Sequence, residues 1–293
     1  MTAMLRLILA LGFLCALPAG GQELTGTLKK IKDSRAVVIG YREASLPFSY
    51  LNAAGRPIGY SIDLCLEIVE QAKDALGVDE VALRYVPVTP ENRIDMVASG
   101  KVDLECGSTT SNLERQKRVA FSPVIFVSGT KLMVRRPVTI RSYLDLKGKT
   151  VAVTAGTTNQ RALKTLSEKQ KLGINFAVAK DHDRAFALLE KGKADAFATD
   201  DVLLYGLLAK SGRAKEFQVV GDFLSYDPYG IMYRKGDPEF DAVVKAAFER
   251  LAASRELEQI YDTWFIRRLP GGERLNLAMS AQLRDIFEIL GLP

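Results

Sequence analysis

The sequence predicts an α/β protein of two lobes, the second inserted into the first, with two hinge strands between them. Three observations carry this expectation. Apolar runs of strand length alternate with segments of helical periodicity along most of the 293 residues, the pattern of parallel sheets covered by helices. The same grammar occurs twice, and in each unit a helix gives way to a strand through Gly-Lys-x-Asp, at Gly100-Lys-Val-Asp103 and at Gly192-Lys-Ala-Asp195. Extended stretches at 126–134 and 228–234 flank the second unit.

In the first unit, residues 36–40 form an apolar run, 61–75 place apolar side chains at helical spacing, and 81–86 alternate as a half-buried strand does. Thr89-Pro90-Glu91 reads as a helix start, Thr as the cap and Pro at the first helical position. That helix should run to Ser99 and stop at Gly100, with a strand at 101–106. In the middle unit, 150–154, 175–179 and 194–198 read as strands, and 159–170, 183–191 and 202–210 as helices. A long helical region is expected over 239–265. The lobes predicted on this basis are 22–127 with 232–293, and 128–231.

Composition narrows the function. The chain is 47% hydrophobic and 26% charged, ordinary for a globular protein. The net charge of +5 comes from lysines and arginines scattered among acids, without the clustering that nucleic acid requires. A single histidine, His182, leaves metal centres and Ser/His or Cys/His catalysis poorly supported, and no cofactor is expected. At the N-terminus, Arg6 precedes the apolar residues 7–17, which break at Pro18 before Ala19, Gly20 and Gly21. This describes a secretory signal peptide over residues 1–21, since the apolar run is too short to span a hydrocarbon core of ~30 Å. Leu14 before Cys15 argues against a lipid anchor. Beyond the signal only Cys65 and Cys106 remain. Export permits a disulfide between them, and the sequence leaves open whether their geometry does.

Ligands of open α/β sheets bind beyond the carboxyl ends of strands. There the sequence places Tyr41-Arg42, then Gly107-Ser108-Thr109-Thr110 with Arg115, then Gly156-Thr157-Thr158, Asp181-His182 and Thr199-Asp200. Both lobes thus bring hydroxyls and opposite charges to a cleft between them. Arginine and helix N-termini suit a carboxylate, and Asp200 suits an ammonium. Each residue also has a structural reading: Thr157 as a helix cap, Arg93 as an exposed partner of Glu91 or Asp95, Asp200 and His182 as caps of the helices that follow them. The coincidence at several strand ends favours a free amino acid as ligand.

The motifs Gly59-Tyr-Ser-Ile-Asp63, Asp103-Leu-Glu-Cys-Gly-Ser-Thr-Thr-Ser-Asn-Leu-Glu-Arg115, Phe121-Ser-Pro123, Leu146-Lys-Gly-Lys-Thr-Val-Ala-Val-Thr-Ala-Gly-Thr157, Ala194-Asp-Ala-Phe-Ala-Thr-Asp200 and Ile260-Tyr-Asp-Thr-Trp264 resemble the polar amino-acid solute-binding proteins of ABC transporters. Arg42-Glu-Ala-Ser-Leu-Pro-Phe48, Glu91-Asn-Arg93 and Lys180-Asp-His182 resemble its glutamate/aspartate-binding members. The resemblance implies a type II periplasmic-binding-protein fold and a monomeric periplasmic receptor that hands glutamate or aspartate to membrane permease subunits. It implies that Arg115 with Thr110 holds the α-carboxylate and Asp200 with Ser108 the α-ammonium. Arg42, Arg93, Thr157, Thr158 and His182 then surround the side-chain carboxylate, with Phe48 against the methylenes. Pro123-Val-Ile-Phe126 departs from the aromatic pattern that this family often shows before its first hinge. Three arginines would overcharge a site for a neutral amino acid, which independently favours an acidic ligand. Two other functions fit the same scaffold: a cyclohexadienyl-dehydratase-like enzyme, using Asp200 or Glu105 for proton transfer, and a sensor module that reports to a receptor.

Overall fold

The computed structural model describes residues 24–137 and 139–291; the predicted signal peptide, residues 1–21, lies outside this range. Helix α1 (Gly26–Ser34) leads into β1 (Ala36–Tyr41). A short antiparallel ribbon follows, made of β2 (Ala44–Ser45), β3 (Ser49–Leu51) and β4 (Pro57–Ile58). Next come α2 (Tyr60–Leu76), β5 (Ala82–Pro87), α3 (Arg93–Ala98), β6 (Leu104–Cys106), α4 (Leu113–Gln116) and β7 (Val119–Phe121). The chain crosses over on β8 (Phe126–Ser128) and continues through β9 (Thr130–Arg135), β10 (Thr150–Thr154), α5 (Thr158–Lys169) and β11 (Asn175–Ala179). Then follow α6 (His182–Glu190), β12 (Ala196–Asp200), α7 (Asp201–Ser211) and β13 (Phe217–Val220). It returns on β14 (Asp227–Tyr229) to β15 (Met232–Arg234) and ends in α8 (Pro238–Ala253), α9 (Glu256–Phe265) and α10 (Ala281–Leu290).

Two five-stranded sheets result, ordered β5-β1-β6-β15-β7 and β11-β10-β12-β9-β13. In each, the first three strands are parallel and the last two run antiparallel to their neighbours in turn. The repeated Gly-Lys-x-Asp has one structural cause in both. Gly100 and Gly192 adopt φ of +70° and +67°, which only glycine takes without strain. The aspartate then clamps the new strand to the sheet. Asp103 donates its N–H to the Val38 carbonyl and accepts the Val38 N–H on its carboxylate at 2.8 Å. Asp195 makes the same pair of bonds with Thr150, also at 2.8 Å.

Packing follows the period of each element. Helix α2 buries Leu64, Cys65, Ile68, Val69 and Ala72 within the core of the first sheet. In the second sheet the alternation of β9 and β10 divides two cores. Leu132, Val134, Val151 and Val153 face one, and Met133 and Ala152 face the other with Phe186 and Phe197. The hinge strands β8 and β14 pair antiparallel, Phe126 opposite Tyr229 and Ser128 opposite Asp227. Aromatic rings anchor this pair: Phe126 stacks on Phe265 at 5.0 Å, and Phe48 meets Tyr229 edge-on at 5.1 Å. Phe48 is fully buried in that cluster, where it packs on the hinge.

Two element bounds differ from those expected, and the cysteine pairing left open is resolved. Thr89 does cap the turn of residues 89–92, its Oγ1 accepting from Asn92 N–H while its own N–H donates to Asn92 Oδ1, but the regular helix α3 begins only at Arg93. The region 239–265 is two helices, broken where Arg255 takes the left-handed conformation with φ of 62°. Cys65 and Cys106 are disulfide-bonded, joining α2 to β6.

Candidate functional site

Eight of the nine residues singled out by sequence line one small, nearly filled cavity: Arg42, Arg93, Ser108, Thr110, Thr157, Thr158, His182 and Asp200. Each owes its place to a strand end or a helix start. Arg42 follows β1, Ser108 and Thr110 follow β6, and Asp200 ends β12. Arg93, Thr158 and His182 are the first residues of α3, α5 and α6. The ninth, Arg115, lies on α4, whose first turn is capped by Asn112, and donates from Nη1 to the Thr110 carbonyl at 2.9 Å. A larger cavity of about 440 Å³ lies by the hinge, lined by residues such as Phe126, Tyr261 and Leu283. None of the nine lines it, and the convergent charges that recognise a polar solute belong to the smaller one.

The first-lobe wall is cationic. Arg42, Arg93 and Arg115 are all buried. Burial, aided by the Arg93 charge and opposed by Glu105, brings both Arg42 and Arg115 down to about 9. Arg93 is lowered by burial and supported by Glu105. All three stay charged at neutral pH. Arg93 is not the exposed partner of Glu91 or Asp95. Its Nη1 donates to Thr109 Oγ1 at 2.5 Å and to the Ser108 carbonyl at 3.4 Å, and lies 3.9 Å from Glu105 Oε1. Among the described residues, Arg42 and Arg115 have no carboxylate within ion-pair distance, so the charge count changes. Two guanidinium groups have no internal anion, and the third, Arg93, is only partly balanced by Glu105.

The second-lobe wall holds acids, hydroxyls and a neutral imidazole. Asp200 accepts from Asn159 Nδ2 at 2.7 Å and from the Tyr229 hydroxyl, and makes no side-chain cap to α7. Burial raises its carboxyl to about 7, with the Asp227 charge adding to the rise and the two hydrogen bonds opposing it. His182 is held well below its ordinary value by burial and by Arg42 and Arg93, and its Nδ1 bonds Thr154 Oγ1 at 2.9 Å. The cap of its helix is Asp181. Thr157 does cap α5, accepting from Gln160 N–H at 3.2 Å while also lining the cavity.

The walls meet. Thr110 and Thr158 lie 3.3 Å apart, and both donate to Asp227 Oδ1 at 3.0 Å. Glu114 pairs with Arg161. Gly156 approaches so closely that an added Cβ would sit 2.8 Å from Glu91 Cγ. The sequence reading missed Asn159, Asp227 and Tyr229. Asp227 and Tyr229 sit on the returning hinge strand, outside the rule that searches carboxyl ends of sheet strands. Asn159 was one residue beyond the Thr157-Thr158 pair, inside a predicted helix. Among the described residues no group of three or more His, Cys, Asp or Glu side chains could hold a metal, and no helix is long and apolar enough to cross a membrane.

Comparison with known proteins places this geometry. The chain is 47% identical over 276 residues to the L-glutamate/L-aspartate-binding protein of Pseudomonas aeruginosa, covering 94% of this chain and 91% of that protein. It is 39% identical over 291 residues to the glutamate/aspartate import solute-binding protein of Escherichia coli K12, covering 98% and 95%. A crystal structure of an ancestral amino acid-binding protein, a precursor of cyclohexadienyl dehydratase, matches with a TM-score of 0.70 at 27% identity, over 82% of this chain and 99% of that one. Holo ArgBP from T. maritima matches with a TM-score of 0.68 at 28% identity, over 80% and 98%. Residues 37–267 match the model of the bacterial extracellular solute-binding proteins, family 3, and the chain belongs to that family.

Proposed function

We propose that the protein is a periplasmic receptor that closes on glutamate or aspartate and delivers it to the permease subunits of an ABC importer. The observation that carries this is a buried cationic wall, Arg42 and Arg93 lining the cavity with Arg115 beside it, opposite the buried carboxyl of Asp200. Arg115, with Thr110, holds the α-carboxylate, and Asp200, with Ser108, holds the α-ammonium. Arg42 takes the side-chain carboxylate together with Arg93, Thr157, Thr158 and neutral His182, whose ring adds no charge. A few charge-assisted bonds of roughly 1.5–3 kcal/mol each support micromolar affinity, about −8 kcal/mol. The same reading divides the chain into a lobe of 22–127 with 232–293 and a lobe of 128–231, supported by β15 joining the sheet of β1.

The relatives named above are binding and import proteins, which favours a receptor over a dehydratase. Calorimetry on the mature protein tests the ligand class. Glutamate and aspartate should bind at least about a hundredfold more tightly than glutamine, whose amide leaves a buried guanidinium unpaired. Equal affinity for glutamate and glutamine sinks the reading.

A further inference from the structure

Beneath the cavity lies a buried acid with no assigned role. Glu105, on the central strand β6, is fully buried. Its Oε2 accepts from Thr109 Oγ1 at 2.5 Å, and Thr109 Oγ1 in turn accepts from Arg93 Nη1 at 2.5 Å. The hydroxyl has one proton, which goes to the carboxylate, and a lone pair, which takes the guanidinium. It therefore stands between two opposite charges. Glu105 Oε1 and Arg93 Nε are both buried without a hydrogen-bond partner, although Arg93 Nη1 is only 3.9 Å from Oε1. A direct fork between carboxylate and guanidinium would satisfy both. Thr109 holds them apart instead.

Gly107 leaves room for this arrangement: a Cβ there would lie 2.4 Å from Glu105 Oε1 and 2.9 Å from Arg42 Cγ. Glu105 is thus a resident anion whose charge acts on all three arginines, close enough to temper Arg93 and not close enough to capture it.

We propose that Glu105 and Thr109 set how strongly the site prefers a ligand with a second carboxylate, Glu105 by competing with the ligand for Arg93 and Thr109 by spacing the two apart. The inference rests on the acidic-ligand reading above and adds its specificity-determining pair. Neither residue needs to touch the ligand; both are positioning residues acting through Arg93.

Opposite effects of two substitutions follow. In Glu105→Gln the amide oxygen still accepts from Thr109, but Arg93 has no internal anion, so the ligand's carboxylate becomes its main partner. In Thr109→Val the spacer hydroxyl is gone, Arg93 closes onto Glu105, and the ligand loses it. The measurement is the ratio of glutamate to glutamine affinity, by calorimetry, for wild type and each variant after folding is checked by circular dichroism. Glu105→Gln is expected to raise the ratio about tenfold and Thr109→Val to lower it about tenfold, each the scale of one charge-assisted contact. Thr109→Ser, which keeps the hydroxyl, is expected to restore the wild-type ratio, a recovery that a packing role for the Thr109 methyl would not produce. A ratio in Glu105→Gln or Thr109→Val that is unchanged, or that moves the other way, overturns the inference while leaving the ligand assignment intact. Should Glu105→Gln fail to fold, Thr109→Val and Thr109→Ser carry the same test. A wild type that binds both ligands equally overturns the ligand assignment itself.

Discussion

The two sheets share strand order, Gly-Lys-x-Asp turn and aspartate clamp, yet their facing edges carry opposite chemistry. The edge of β1 and β6 presents Arg42 and leads to Arg115, with Arg93 beside them; that of β10 and β12 presents Thr157, Thr158 and Asp200. Backbone topology is therefore common property, and recognition is written in the one or two residues after each strand. In the proposed function the ligand bears both signs of charge, its anionic groups toward the first sheet and its cationic group toward the second.

Substitutions can break this comparison. The largest effect is expected at Arg115→Ala, which should weaken every amino acid by about a thousandfold, because a buried charged hydrogen bond common to all of them is lost. Tight glutamate binding by that variant would move the α-carboxylate elsewhere.

On the opposite wall, Asp200→Asn should cost about a hundredfold and also change the pH profile. Without ligand the Asp200 carboxyl titrates near 7, raised by burial and by Asp227. An ammonium beside it lowers that value, so the unliganded form binds more protons below pH 7 and binding releases a proton there. Glutamate affinity should accordingly rise as pH increases from about 5.5 toward 7 and flatten above. His182, held neutral, adds no step of its own. Calorimetry in buffers of different ionisation enthalpy reads the released proton, and its persistence in Asp200→Asn would assign it to another group.

Arg42→Ala sharpens the contrast within the cationic wall. It should weaken glutamate by about ten- to a hundredfold and leave glutamine nearly unchanged, separating selectivity from the shared amino-acid contacts. The smallest effects test the matching turns. Asp103 is buried and also pairs with Lys30 at 2.7 Å, whereas Asp195 is exposed. Denaturant unfolding of Asp103→Ala should show a loss of about 2–3 kcal/mol, and of Asp195→Ala about 1 kcal/mol. Equal losses would mean that burial and the Lys30 pairing of Asp103 add nothing to the clamp the two turns share.

Much of the architecture was legible in the residues. Apolar runs of strand length at 36–40 and 150–154, helical spacing at 61–75, and the twin Gly-Lys-x-Asp turns follow from local periodicity and from the glycine's positive φ, properties that neighbouring residues already encode. The rule that strand ends carry ligands was enough to collect Arg42, Ser108, Thr110, Thr157, Thr158, His182 and Asp200, because chain direction and parallel pairing place such ends on one edge. Local reading failed where partners are remote. The cap at Thr89 was legible, but the regular helix starts only at Arg93, and residue 255 gave no sign of a break.

Tertiary structure alone decided what each charged group faces. Arg93 has acids near it in sequence, at Glu91 and Asp95, but folding turns it toward Thr109 and Glu105. Asp227 enters the site because β14 returns beside β8, a pairing across roughly a hundred residues that no local pattern announces. The disulfide between Cys65 and Cys106 likewise needed α2 laid against β6. The sequence by itself determined which elements form and which residue types reach the cleft, since those depend on neighbours along the chain. The sign and strength of the site depend on burial and on distances between remote segments, and those exist only once the lobes have packed.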